Sequence, residues 1–273
     1  AAHIAPGPAQ VRPVSPELFV DWHDAPGGGR IRARPMKGTA ARGATPADDA
    51  AQAAHLRASP KERAENVMIV DLLRNDLSRI AQPHSVRVPA LFHTEGLPTV
   101  WQMTSDVQAR TRAGIRLSDV FAALFPCGSV TGAPKVRAMQ MIRALEPAPR
   151  GVYCGAVGLV RPGGAAGPDG LHSVAATFNV PIRTVVLRAG ADGATTATCG
   201  IGSGITSGAT ADAEWSEWRH KRAFVERASA PFDLLETLAL VDGQFRHLAE
   251  HLARLQGAAA HFNVPFDAAY VPA

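Results

Sequence analysis

Apolar and polar residues change rhythm several times along this chain. Residues 14–22, VSPELFVDW, move into the two-residue alternation of a strand after a turn marked by proline. Asp24 to Gly29 (DAPGGG) predicts a hairpin turn, and Arg30 to Arg34 the returning strand. Pro35-Met36-Lys37-Gly38-Thr39 follows at that strand's end. Residues 40–57 are Ala-rich and polar, which predicts an exposed loop or a short helix. The strongest helical signal runs from Ser59 to Ile80, about six turns at ~3.6 residues per turn. Ser59 suits the N-cap and Pro60 the first helical position, and Ser59 with Glu62 spells a capping box. Val67-Met68-Ile69-Val70 is apolar all round, the pattern of a buried helix. Asp71, Arg74, Asn75 and Asp76 follow in that context, where charge is costly unless paired or metal-bound.

Further along, strands are expected at 86–92 and 99–109, and a helix at Leu117–Phe125. A turn from Pro126 to Lys135 launches a second helix, Val136–Leu145. Tyr153–Val160 reads as a small-residue strand and 161–170 as a Gly/Pro loop. His172–Arg188 and Ala194–Ile205 read as a strand pair joined at Gly190–Gly193, and Asp212–Ala228 as an acidic helix.

Composition narrows the class. The chain has 273 residues, 46% hydrophobic and 19% charged, ordinary for a soluble protein of one large or two small domains. A net charge of +4 without a dense Lys/Arg run does not imply nucleic acid, but it favours small anionic substrates. Cys127, Cys154 and Cys199 are odd in number and widely spaced, which fits a reducing, cytoplasmic compartment and predicts no zinc site. No run of 18 apolar residues and no signal peptide occurs, so no membrane association is expected. The chain opens at Ala1 without Met, as a fragment would.

Lysine stands only at 37, 61, 135 and 221, against 24 arginines. In so Arg-rich a chain, a retained lysine points to a required compact, deprotonatable amine; incidental lysines are the alternative. Lys37 is flanked by turn residues, where catalytic groups often sit and solvated lysines do too. Gln102 can hydrogen-bond a ligand but cannot shuttle protons, and a structural role is open to it. The turn before Val136 leaves backbone N–H groups and a positive dipole end that suit an anion. Ser129, Thr131 and Lys135 would add donors there; ordinary capping by Thr131 is the alternative. Arg183, inside a β run, points at a carboxylate or at a structural ion pair. Gly200-Ile201-Gly202-Ser203-Gly204 lets a backbone approach a ligand closely but is no dinucleotide fingerprint. Two helices repeat E-x-x-E, at Glu62/Glu65 and Glu214/Glu217. Four carboxylates so spaced could hold Mg²⁺ with waters left for a substrate, while Glu217 and Lys221 also suit a plain surface pair.

Taken together, the chain resembles the chorismate-utilising enzymes: anthranilate synthase component I, aminodeoxychorismate synthase component I, and the isochorismate and salicylate synthases. SPELF, RPMKGT, ERAENVMIVDLLRNDL, PTVWQMTSDV, FPCGSVTGAPKVRAMQMI, YCGAVGLV, FNVPIRT, GIGSG and EWSEWRHK carry the likeness, in order across residues 15–226. The resemblance implies an α+β fold with antiparallel sheets flanked by helices. It implies Mg²⁺ on Glu65 and Glu217, with Glu62 and Glu214 beside them, holding the ring carboxylate of chorismate. Tyr153, Arg183 and the amides of Gly202 and Gly204 match the positions that bind the enolpyruvyl carboxylate. Lys221 matches a substrate-side lysine, Ser129 and Thr131 the hydroxyls of the substrate turn, and Thr39 and Gln102 join the substrate-binding set. Lys37 stands where anthranilate synthases usually have Ala and aminodeoxychorismate synthases have Lys, and Gln102 where anthranilate synthases have His. That implies the aminodeoxychorismate branch, with Lys37 as covalent nucleophile and ammonia from a glutamine amidotransferase, component II. Glu65 is the one residue whose position offers a proton to the leaving C4 hydroxyl, although a carboxylate on Mg²⁺ is a poor acid.

Residues 232–264 change character. A strand, a D-G turn and an amphipathic helix account for the pattern, which also resembles the opening of a PLP-dependent aminodeoxychorismate lyase of fold-type IV. Arg254 then matches the arginine that binds the PLP phosphate. The expected division is 1–229, chorismate-binding, and 230–273, the start of a lyase-like domain lacking its Schiff-base lysine.

Overall fold

The structure, a computed structural model, describes residues 4–5, 9–97, 100–166, 172–190, 192–228, 232–262 and 264–267. Two compact units emerge, Ala1–Lys221 and Arg222–Ala273. The first contains β1 (Ala9–Pro13), β2 (Leu18–His23), β3 (Arg30–Arg34), β4 (Met36–Ala41), α1 (Pro46–Ala58) and α2 (Pro60–Ser78). These are followed by β5 (Arg87–Gly96), β6 (Val100–Arg110), α3 (Leu117–Leu124), α4 (Lys135–Leu145), β7 (Val157–Ala166) and β8 (His172–Asn179). Then come β9 (Thr184–Ala189), β10 (Thr195–Cys199) and α5 (Ala211–Ala228), whose last turns belong to the second unit. That unit also holds the short hairpin β11 (Leu240–Val241) and β12 (Gln244–Phe245), and α6 (Leu248–Phe262). No helix among the described residues is long and apolar enough to cross a membrane.

The class is α+β with antiparallel sheets, as expected. Seven strands run β4-β6-β3-β2-β8-β7, with β5 also paired to β6. β3 and β4 share one edge of β6, split at Pro35, which cannot donate to a ladder; its carbonyl instead takes the Ser105 amide at 3.2 Å. A separate three-stranded sheet runs β1-β9-β10. The core lies between the large sheet and helices α2 and α3. Ile69, Val70, Leu73 and Leu77 recur at three- and four-residue spacing along α2 and meet Trp22, Ile31, Val107, Val120 and Leu124. Each fully buried aliphatic side chain contributes about 1.5–3 kcal/mol.

Four sequence expectations change. The Val67–Val70 run is not buried all round: Val67 and Met68 remain 44% and 41% exposed, because one side of α2 faces away from the sheet. The capping box is half formed, since Ser59 accepts from the Glu62 amide at 3.4 Å while its own N–H ends α1 on the His55 carbonyl. Of the two forms expected for the Ala-rich stretch the helix is the one formed, α1, capped by Thr45. The expected strand 172–188 breaks at 180–183, so β8 joins the large sheet and β9 the small one; Tyr153 lies in a turn ahead of β7.

Candidate functional site

Lys37 sits on β4, pressed against the start of α2. Gly38 has φ of +94°, the left-handed region that a Cβ resists. A Cβ there would stand 3.0 Å from Glu62 Oε2 and 3.1 Å from Leu56 Cδ1. Gln102 of β6 donates to the Gly38 carbonyl at 2.7 Å, and the Thr39 hydroxyl donates to Gln102 Oε1 at 3.1 Å. In this structure Gln102 and Thr39 therefore brace the strand that carries Lys37.

Facing Lys37 is the glycine-rich segment after β10. A Cβ on Gly204 would lie 3.5 Å from Lys37 Nζ, one on Gly202 3.0 Å from the Tyr153 hydroxyl, and one on Gly200 2.3 Å from the Tyr153 ring. The backbone thus runs close to both the lysine and the tyrosine, and at Gly200 a side chain would collide with the tyrosine ring. Burial pushes the Tyr153 phenol up, so it stays protonated and able to donate. Lys221 of α5 donates to the Gly202 carbonyl at 3.0 Å and pairs with Glu217 at 2.5 Å.

Arg183 occupies the break between β8 and β9 with φ of +48°. It is half-buried, burial lowers its pKa, and among the described residues it has no ion-pair partner. The structural ion pair left open by the sequence is not formed among the described residues.

The turn between α3 and α4 rests on α2. A Cβ at Gly128 would come 2.3 Å from Leu72 Cδ2, so only glycine lets the turn lie flush. Thr131 donates to the Cys127 carbonyl at 3.0 Å, capping the turn from within. Ser129 Oγ lies 3.2 Å from Cys127 Sγ. Lys135 does not reach the mouth of the turn. Its Nζ goes to Asp76 Oδ2 at 2.5 Å and to the Leu124 carbonyl at 3.1 Å.

One residue escaped the sequence reading. Glu17, at the head of β2, is 3% exposed and its Oε1 has no hydrogen-bond partner. Burial pushes its carboxyl from 4.5 up to about 7, against hydrogen bonding from Ser129, the charge of Lys37 and the Met36 amide. It thus shares the neighbourhood of Lys37 and Ser129. The signal available was a carboxylate opening an apolar run, ELFV, where burial would leave it in want of a partner.

The two acidic helices meet in part. Burial, then the charges of Glu65 and Glu217, raise Glu62, while Lys61 and Lys37 pull it down. Glu214 is 8% exposed and accepts from the Ser203 hydroxyl, which in turn accepts from Trp218 Nε1 at 2.7 Å. Among the described residues no group of three His, Cys, Asp or Glu side chains is arranged to hold a metal ion. Arg254 lies in the second unit, its Nε on Glu236 Oε2 at 3.2 Å, with His251 Nδ1 2.5 Å from Glu236 Oε1.

The chain as a whole is similar to known proteins. The chain is 51% identical over 145 residues to aminodeoxychorismate synthase component 1 of Klebsiella aerogenes, covering 53% of this chain and 31% of that protein. Over 204 residues it is 40% identical to aminodeoxychorismate synthase component 1 of Salmonella typhimurium, covering 75% and 41%. The crystal structure of anthranilate synthase component I from Streptococcus pneumoniae superposes with a TM-score of 0.63 at 31% identity, covering 81% of this chain and 44% of that one. The matched region spans less than half the length of each of these proteins. The model of the chorismate binding enzyme family matches residues 1–227, and the chain belongs to that family.

Proposed function

We propose that this chain carries the chorismate-amination site of an aminodeoxychorismate synthase component I, making 4-amino-4-deoxychorismate from chorismate and ammonia. The observation that supports it most is the placement of Lys37 against Gly204 on one side and the Glu62 end of α2 on the other, with Glu17 nearby. The amine of Lys37 attacks C2 of chorismate, both ring double bonds shift (C1=C2 to C1=C6, C5=C6 to C4=C5), and the C4–O bond breaks. Ammonia then adds at C4, and the C2–N bond to Lys37 breaks to restore the free amine. As a nucleophile Lys37 must be neutral, and the departing hydroxide needs a proton. Glu17 serves both needs. It accepts the lysine's proton and donates it to the leaving oxygen, so that water departs. A buried carboxyl poised at about 7 suits such a role better than an exposed one. Glu17 thereby replaces Glu65 as the acid, which leaves Glu65 for the metal.

The residues fit Mg²⁺ as that ion is usually held, by one or two carboxylates together with substrate and water. Burial first, and then the charges of Glu65 and Glu217, raise Glu62, and a divalent cation would offset the part due to those charges. Bound there, Mg²⁺ would neutralise the ring carboxylate. Glu214 instead steadies the glycine-rich segment through Ser203. Arg183, which has no acidic partner among the described residues, and the Tyr153 hydroxyl would take the enolpyruvyl carboxylate. A glutamine amidotransferase, component II, would supply the ammonia.

Mass analysis of products from chorismate, Mg²⁺ and ammonium tests this reading on the full-length protein and its Lys37→Ala variant. Aminodeoxychorismate from the wild type and its loss in the variant are expected. Anthranilate with pyruvate release from the wild type, or equal activity in both, would overturn it.

A further inference from the structure

The glycine-rich segment after β10 is held by α5 rather than by a sheet. β10 ends at Cys199, and among the described residues the amides of residues 201–205 donate to no backbone or side-chain acceptor. Gly202 and Gly204 flank Ser203, and glycine leaves the backbone free to turn on either side of it. The direction of those amides is therefore set by what grips the segment. The Ser203 hydroxyl donates to Glu214 and accepts from Trp218 Nε1 at 2.7 Å. Its one proton is thus committed, and so is a lone pair. Glu214 is buried, so the bond it accepts is shielded from water. Lys221 adds a second grip, donating to the Gly202 carbonyl at 3.0 Å. Glu214, Trp218 and Lys221 are spaced at i, i+4 and i+7, so one face of α5 carries all three anchors. The segment they hold borders the site, with Gly204 close to Lys37 Nζ and Gly202 close to the Tyr153 hydroxyl.

We propose that Ser203 is a positioning residue for substrate binding: gripped by Glu214 and Trp218, it holds the Gly202 and Gly204 amides in place for the enolpyruvyl carboxylate of chorismate. This rests on that carboxylate lying beside Tyr153, as proposed above. Serine suits the position because it is the smallest side chain that both donates and accepts. Alanine does neither, and would leave a buried Glu214 oxygen and the Trp218 N–H without the partner they have now. Glu214 acts through the segment, and the metal is left to Glu65 and Glu217. The enolpyruvyl group stands away from the bonds made and broken at C2 and C4, so the loss of the grip falls on binding rather than on the chemical step.

The test uses the full-length protein with chorismate, Mg²⁺ and ammonium. Wild-type production of aminodeoxychorismate is established first. Its failure sinks the functional reading alone, and the Kd for chorismate, measured by calorimetry with Mg²⁺ and without ammonium, then decides in place of KM. Ser203→Ala is expected to raise KM for chorismate roughly tenfold with kcat nearly constant, the loss of a hydrogen bond to a charged group. Trp218→Phe, which removes only the indole N–H, should raise KM roughly threefold. The double variant should be no worse than Ser203→Ala, because that change already removes both bonds. At saturating chorismate, the Mg²⁺ concentration for half-maximal rate should stay at the wild-type value in Ser203→Ala. A merely structural grip would lower the melting temperature and leave KM in place. A folded Ser203→Ala variant with wild-type KM overturns the proposal, as does a double variant whose effect is the product of the two. A raised Mg²⁺ requirement also overturns it, since Ser203 would then act through a metal-binding Glu214. If Ser203→Ala does not fold, the decision falls to Trp218→Phe, where an unchanged KM overturns the proposal.

Discussion

Glu17 is buried with one carboxylate oxygen unpaired, and that arrangement ties folding to pH. Its folded pKa is about 7 against 4.5 when free, so between those values the folded chain binds more protons than the unfolded one. Stability from this group is therefore complete below pH 4.5 and is lost as pH rises through 7. The shift corresponds to a difference on the order of 3 kcal/mol. Urea unfolding at pH 5 and pH 8 should show Glu17→Gln flattening that descent, and an unchanged slope would place the carboxyl in water. The same variant should lose roughly 10²–10⁴-fold in rate, since Gln has no proton to give. Sequence made Lys37 legible because lysine is so scarce here, and the two E-x-x-E repeats because they recur. It hid Glu17 because the partners that define its role come from β4 and from a turn more than a hundred residues away. Gln102 and Thr39 hydrogen-bond to each other and to β4, contacts that come from the β4–β6 pairing and that no local pattern in the sequence carries.

At the scale of elements, two glycines set how close the pieces lie. Gly38→Ala forces a side chain into a φ of +94° and towards Glu62 Oε2. A loss of about 1 kcal/mol is expected, with a larger fall in kcat as Lys37 is displaced. Calorimetry beside kinetics checks this, and an unchanged kcat would show that the strand does not move. Gly128→Ala drives a Cβ into Leu72, an overpacking that costs about 1–3 kcal/mol. Leu72→Ala opens that space, so the double variant should be more stable than the summed single effects by about 0.5–3 kcal/mol. Strict additivity would mean that the turn relaxes away from α2. The helices themselves were readable from caps and periodicity: α2 begins where Ser59 and Pro60 place it, and α4 follows Pro134. The break at 180–183 carried one signal, Pro181, which like Pro35 cannot donate to a ladder, although Val180 and Ile182 beside it are as apolar as the strands on either side. The pairing of β8 with β2 and β7, and of β9 with β1 and β10, separates them.

At the scale of the first unit, that break puts Arg183 between two sheets, where a cation without a counterion is unfavourable for folding. Burial lowers its pKa, and nothing acidic among the described residues offsets the loss of water. Such a group is retained at the expense of stability when a ligand supplies the missing charge. Arg183→Gln should therefore leave the melting temperature unchanged or higher. It should also raise KM for chorismate by roughly 10–100-fold, the loss of charge-assisted hydrogen bonds, with kcat nearly constant. Melting curves without chorismate and kinetics with it read the two effects separately. A fall in stability would reveal a structural partner for the guanidinium. A fall in kcat at constant KM would move Arg183 from holding the substrate to stabilising the transition state.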